Sequence, residues 1–169
     1  MFDIWNIHMI LQRRTLLQFL AASTAVVAIP TFAQKATPLP VIDVYKSPTC
    51  GCCGAWIEHL QKSGFTVRAH DVEDTGTMRQ KLRMPEKFGS CHTAKVGNYV
   101  LEGHVPASEI KRLLAERPAA LGLAVPAMPA GSPGMEVASG RVDPYNVLLV
   151  QADGKSAVYK AYAGTAGSL

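Results

Sequence analysis

Three of the chain's four cysteines fall in Cys50-Gly51-Cys52-Cys53-Gly54, and this stretch limits the possible folds more than any other. A β-like run, Val41 to Lys46, leads into it, and a helix-like run, Ala55 to Lys62, leaves it. The thiols therefore sit on a strand-to-helix turn, at a helix N-terminus. Unpaired backbone N–H groups and the helix dipole favour a thiolate there. A thiolate is both the nucleophile of disulfide exchange and a ligand for soft metals. A purely structural disulfide framework fits poorly, because Cys52 and Cys53 are neighbours and three thiols this close cannot all pair locally.

The N-terminal region sets the compartment. Arg13-Arg14 precede an apolar run, Leu16 to Ile29, which is followed by Pro30 and the small-residue pattern Thr31-Phe32-Ala33. That order reads as a secretory signal, and the adjacent arginines resemble a twin-arginine export signal. The apolar run falls short of the roughly 20 residues a spanning helix needs, which favours cleavage after Ala33 over an anchor. Residues 1–33 are thus expected to be a cleaved export signal, with Met1 or Met9 as the start. Residues 34–40 read as a tether, 41–162 as a single domain and 163–169 as a small-residue tail without order. No other segment could span a membrane. A periplasmic, oxidising compartment keeps thiols free only if metal holds them or a redox partner recycles them. The net charge of +4 is scattered, without basic runs or aromatic interleaving, so nothing supports nucleic-acid binding.

Along the domain, Val41 to Lys46 reads as a strand with Ile42 and Val44 buried. A helix from Cys52 to Ser63 places Cys53, Ile57 and Leu60 on one face with Trp56 beside them, and Gly64 stops it. Phe65 to Val72 alternates as a second strand. A short helix after Asp74 turns Met78 and Leu82 inward and leaves Arg79, Lys81 and Arg83 solvated, ending at Pro85. Cys91-His92 precede a third strand, Thr93 to Val96. Gly97-Asn98 turns into a fourth, Tyr99 to Glu102, and a helix follows from Ala107 to Glu116. Arg117 to Gly140, rich in Pro and Gly, reads as irregular. Tyr145 to Gln151 and Ser156 to Tyr162 form a hairpin across Asp153-Gly154.

The expected fold class is therefore α/β: a thioredoxin-like β-α-β-α-β-β-α core with a Pro/Gly-rich extension and a C-terminal β-hairpin. On that plan the redox pair is Cys50 and Cys53, a C-x-x-C with an extra thiol at Cys52. Cys91-His92-Thr93 stands where such folds carry a proline facing the pair, so Cys91 and His92 would face the motif as two more metal ligands.

The ordered motifs resemble a known family. Tyr45-Lys46-Ser47-Pro48-Thr49-Cys50-Gly51-Cys52-Cys53, then Cys91-His92-Thr93, then Gly103-His104-Val105-Pro106, then the Val125 to Met135 block are similar to the family known as domain of unknown function 411. It includes the CopG-type thioredoxin-like proteins of copper-resistance operons. The resemblance implies an exported, copper-associated protein with the cysteine motif as its metal and redox site.

Thiolates select cuprous copper, and three close thiolates plus Cys91 can share bridging sulfurs and hold more than one ion. Zinc on Cys50, Cys53, Cys91 and His92 is the competing reading, but it leaves Cys52 without a role. His92 is a ligand candidate because it adjoins Cys91; its other role would be to orient that thiol. His104 is either a ligand or a surface or supporting residue. Met128 and Met135 are either copper ligands in a Pro-Gly loop or gap-filling residues. His59 and His70 read as solvated or structurally satisfied, and Met78, Met84 and Trp56 as core. The expected function is copper binding in tolerance or homeostasis, with copper ions and other exported copper-handling or redox proteins as partners. The alternative is a thiol-disulfide oxidoreductase in which Cys50 attacks and Cys53 resolves.

Overall fold

The computed structural model describes residues 38–167, so the expected export signal and the choice between Met1 and Met9 lie outside the described residues. The chain runs β1 (Ile42–Lys46), α1 (Gly51–Lys62), β2 (Val67–Asp71), α2 (Thr75–Lys81), a 3₁₀ turn (Glu86–Phe88), β3 (His92–Val96) and β4 (Tyr99–Glu102). Then follow α3 (Ala107–Glu116), β5 (Gly122–Ala124), β6 (Tyr145–Val150) and β7 (Ser156–Tyr162). The first seven helices and strands give the β-α-β-α-β-β-α order expected from the hydrophobic pattern.

All strands join one seven-stranded sheet in the order β2-β1-β3-β4-β5-β6-β7. β1 pairs parallel with β2 across the α1 crossover, and β3 pairs antiparallel with both β1 and β4. Ile42 and Val44 are fully buried, as their spacing predicts.

The sheet is covered on both faces. One face carries the larger core: Ile42, Val44, Ala94, Val96, Leu101 and Leu123 pack with Trp56 and Leu60 of α1 and Ile110 and Leu113 of α3. Each fully buried Leu or Ile there contributes roughly 1.5–3 kcal/mol. The other face carries a smaller cluster, Met84, Phe88, Val100, Ala124 and Val150. Met84 and Trp56 are core residues, as expected, whereas Met78 is only half-buried.

Three expectations are corrected. Arg79 is not solvated but buried, because a carboxylate reaches it from β4. The Arg117 to Gly140 stretch is not wholly irregular. It contains β5, which runs parallel to β4 and antiparallel to β6 and so ties the C-terminal hairpin into the main sheet. Gly122 permits this pairing, since a Cβ there would lie 1.7 Å from the Val100 carbonyl oxygen. Within the tail expected to lack order, Thr165 pairs with Val142 through bonds of 3.1 and 2.8 Å.

Local signals set the helix ends near the cysteines. Asp74 caps α2, accepting from Gly76 N at 2.8 Å and Thr77 N at 3.1 Å. Cys50 occupies the N-cap position of α1 and makes no side-chain capping hydrogen bond.

Candidate metal centre

The β1-to-α1 turn, the β3–β4 hairpin and the Pro/Gly-rich block each bring residues to one place. Cys50 and Cys53 are joined as a disulfide, and Cys52 and Cys91 are free thiols. The Cys52 sulfur lies 3.5 Å from that of Cys50 and 3.8 Å from that of Cys91. The Cys91 sulfur is 3.5 Å from that of Cys53. The four sulfurs lie within 4.8 Å of one another, although Cys91 is far away in sequence.

Two imidazoles close on the same sulfur. His92 Nδ1 is 3.2 Å and His104 Nε2 is 3.1 Å from Cys91 Sγ. Both rings are fully buried. His104 Nδ1 lies 2.8 Å from the Pro133 carbonyl oxygen. A carbonyl can only accept, so the proton sits on Nδ1 and the Nε2 lone pair faces the sulfur. Ligating histidines are usually held this way, with the far nitrogen donating to an acceptor.

Burial sets the charge states. It lowers the His104 pKa, and with His104 close by it brings that of His92 down to about 3. Both rings are therefore neutral near pH 7, which is the ligating form. Burial, followed by the nearby Cys52, pushes the Cys91 thiol up to about 12. Without a cation, Cys91 keeps its proton and can donate it to His104 Nε2. A metal ion would have to displace that proton on binding.

The surroundings are built rather than incidental. Trp56 packs against His92 with ring centroids 4.3 Å apart, and its Nε1 donates to the Val105 carbonyl at 2.8 Å. The Pro/Gly-rich block roofs the first turn of α1. A Cβ on Gly134 would lie 2.6 Å from Trp56 N and 2.9 Å from the Cys52 carbonyl oxygen, so only glycine allows the loop this close. His92 Nε2 has no hydrogen-bond partner, an imbalance inside an otherwise satisfied pocket. Among the described residues, four sulfurs and two neutral imidazole nitrogens make up the two candidate ligand groups, with no carboxylate in either, and form a donor set suited to a soft cation.

Cys50, Cys52, Cys53, Cys91, His92 and His104 are all brought together. The surface alternative for His104 does not hold, since its ring is buried against Cys91. Met128 is 49% exposed and lines a groove with Pro126, Pro144, Tyr145 and Leu148. Met135 follows Gly134, half-buried, in a turn whose backbone N–H donates to Ser132 O. His59 is structurally satisfied, its Nε2 accepting from Ala107 N at 3.1 Å. His70 pairs with Asp43 at 2.9 Å. Sequence reasoning gave no site role to Arg79, Ser90, Thr93, Glu102 and Pro133, which support Cys91 and the histidines.

Comparison with known proteins places this arrangement. The family described as "Protein of unknown function, DUF411" matches residues 88–135, which hold Cys91, His92 and His104. Two solved forms of the copper resistance protein CopG superpose with a TM-score of 0.70, at 43% and 42% identity. Each alignment covers 75% of this chain and 99% of the other. The chain belongs to the DUF411/CopG family. No curated protein matches it. The resemblance carried by the cysteine, Cys-His and His-Val-Pro motifs is thereby established as family membership. The CopG structures share the mixed α/β architecture.

Proposed function

We propose that this chain is an exported copper-binding protein of copper tolerance. It takes cuprous ions as cargo on Cys50, Cys52, Cys53 and Cys91, with His92 and His104 as nitrogen donors. The observation that carries this reading is the convergence of four sulfurs in one partly buried cluster, with two buried, neutral imidazoles on the sulfur of Cys91. The relatives named for copper resistance support it. Thiolates favour cuprous copper, which imidazoles also accept, and adjacent Cys52 and Cys53 suit bridging between ions better than closure around one tetrahedral ion.

The disulfide adds a condition. Cys50 and Cys53 become ligands only after a reductant, such as a partner dithiol, supplies two electrons and two protons. Thiol redox then gates copper loading at this pair. Export follows from the signal-like residues 1–33, and the mature chain begins near residue 34. Among the described residues, no helix is long and apolar enough to cross a membrane.

X-ray absorption on copper-loaded, reduced protein tests the reading. It should show a sulfur-dominated shell with a nitrogen contribution that His104→Ala diminishes. Displacement of copper by an equal concentration of zinc, giving a simple Cys₃His site, would overturn it.

A further inference from the structure

A second polar cluster lies directly behind Cys91. Glu102, at the end of β4, is fully buried. Its Oε1 accepts from Arg79 Nε at 2.9 Å and from the Ser90 backbone N–H at 2.7 Å. Its Oε2 accepts from Thr93 Oγ1 at 2.6 Å. Arg79 Nη2 donates to the Ser90 carbonyl oxygen at 2.8 Å, and Nη1 donates to Glu86 at 2.7 Å. Every contact to Glu102 is a donor, which is the environment of a carboxylate.

These contacts fall on particular backbone positions. The Arg79–Glu102 pair holds both the N–H and the C=O of Ser90, the residue before Cys91. Thr93, the residue after His92, is held by the same carboxylate. Glu102 itself lies two residues before His104. One carboxylate therefore anchors the two chain segments that deliver Cys91, His92 and His104.

Energetics point the same way. Burying an ion pair costs about as much in desolvation as the attraction returns, so such a pair is weak evidence of stability. Its consequence is geometric, because four bonded groups cannot shift independently.

We propose that Glu102, with Arg79, is a positioning residue that fixes Cys91 and the paired histidines at ligand distance. This rests on the copper reading for the identity of the ligand, but not for the geometry. Outer supports of this kind typically change metal affinity by about 10- to 100-fold when removed.

Thr93 offers a clean test, since valine has its shape and serine keeps its hydroxyl. In unreduced, copper-free protein, Cys52 and Cys91 are the two free thiols, so their alkylation ratio is internally controlled. Thr93→Val and Glu102→Gln should raise the Cys91-to-Cys52 ratio severalfold, and Thr93→Ser should leave it unchanged. In reduced protein, the first two variants should lose about tenfold in cuprous affinity and the third should lose none. If Glu102→Gln does not fold, the valine–serine pair decides. Wild-type ratios in folded Thr93→Val would overturn the positioning role, even where copper binding is intact. A wild-type chain that takes no copper would overturn the proposed function, and the alkylation ratio would still judge the positioning role.

Discussion

Cys91 and His104 face each other across the open end of the β3–β4 hairpin, with His104 Nε2 3.1 Å from the cysteine sulfur. The register explains the meeting. Val96 pairs with Tyr99 and Thr93 with Glu102, and Gly103 N continues the ladder to His92 O at 3.0 Å. One further step sets Cys91 opposite His104. A turn at Gly97-Asn98 is thus enough to bring thirteen-residue-distant donors together.

Replacing His104 by Ala should remove one nitrogen donor and leave Cys91 without its acceptor. Cuprous affinity should fall by at least about tenfold. A competitive titration with a chelator of known affinity measures the loss. His59→Ala, on α1 beside the α3 N-terminus, should leave affinity within about twofold, since that ring bonds backbone rather than sulfur.

Copper capacity should follow the state of the Cys50–Cys53 disulfide. Protein prepared without reductant should hold roughly half the copper of reduced protein, because two of the four thiolates are withdrawn. Cys52→Ser should lower capacity as much as Cys50→Ser does. Metal analysis on matched reduced and oxidised samples reads both effects.

Gly122→Ala should disrupt the link between the core and the C-terminal hairpin. The new methyl would meet the Val100 carbonyl oxygen at 1.7 Å, and backbone on both sides limits relaxation. A loss of at least about 2 kcal/mol in denaturant unfolding is expected. Faster hydrogen exchange in β5, β6 and β7 than in β1 should accompany it.

Acid should weaken the β1–β2 edge. A hydrogen bond with His70, followed by contacts with Arg68, holds the Asp43 carboxyl below its ordinary value near 3.8. Its folded pKa is depressed, so its contribution to stability is complete above the unfolded pKa and is lost as pH falls through the folded one. Thermal unfolding of apo protein should therefore show a drop below about pH 4 that Asp43→Asn reduces. An unchanged acid limb in that variant would remove Asp43 from the account.

The fold was legible wherever a local pattern was strong. Strand one, the Cys53–Ile57–Leu60 helix face and the Asp153-Gly154 hairpin all follow from period and turn chemistry. β5 was not legible, because three residues beginning with glycine carry no period. Arg79 was misread for a related reason. On a seven-residue helix a charged side chain normally points to water. Its partner Glu102 lies on a distant strand that reads as apolar, so only tertiary structure shows the pair. The site was partly legible: the thiol spacing pointed to soft-metal or redox chemistry, and the adjacent Cys91-His92 to donors. The place of His104 stayed open because the hairpin register, not any local motif, brings it to Cys91. That register was available in principle, by counting back from Gly97-Asn98.

The most direct test is a cuprous titration of the reduced protein against a competing chelator, with free thiols counted before and after. The account predicts tight uptake of more than one copper per chain, with the cysteines protected from alkylation. Weak uptake with unprotected thiols, and ready re-formation of the Cys50–Cys53 disulfide, would contradict it and leave a thiol-disulfide oxidoreductase.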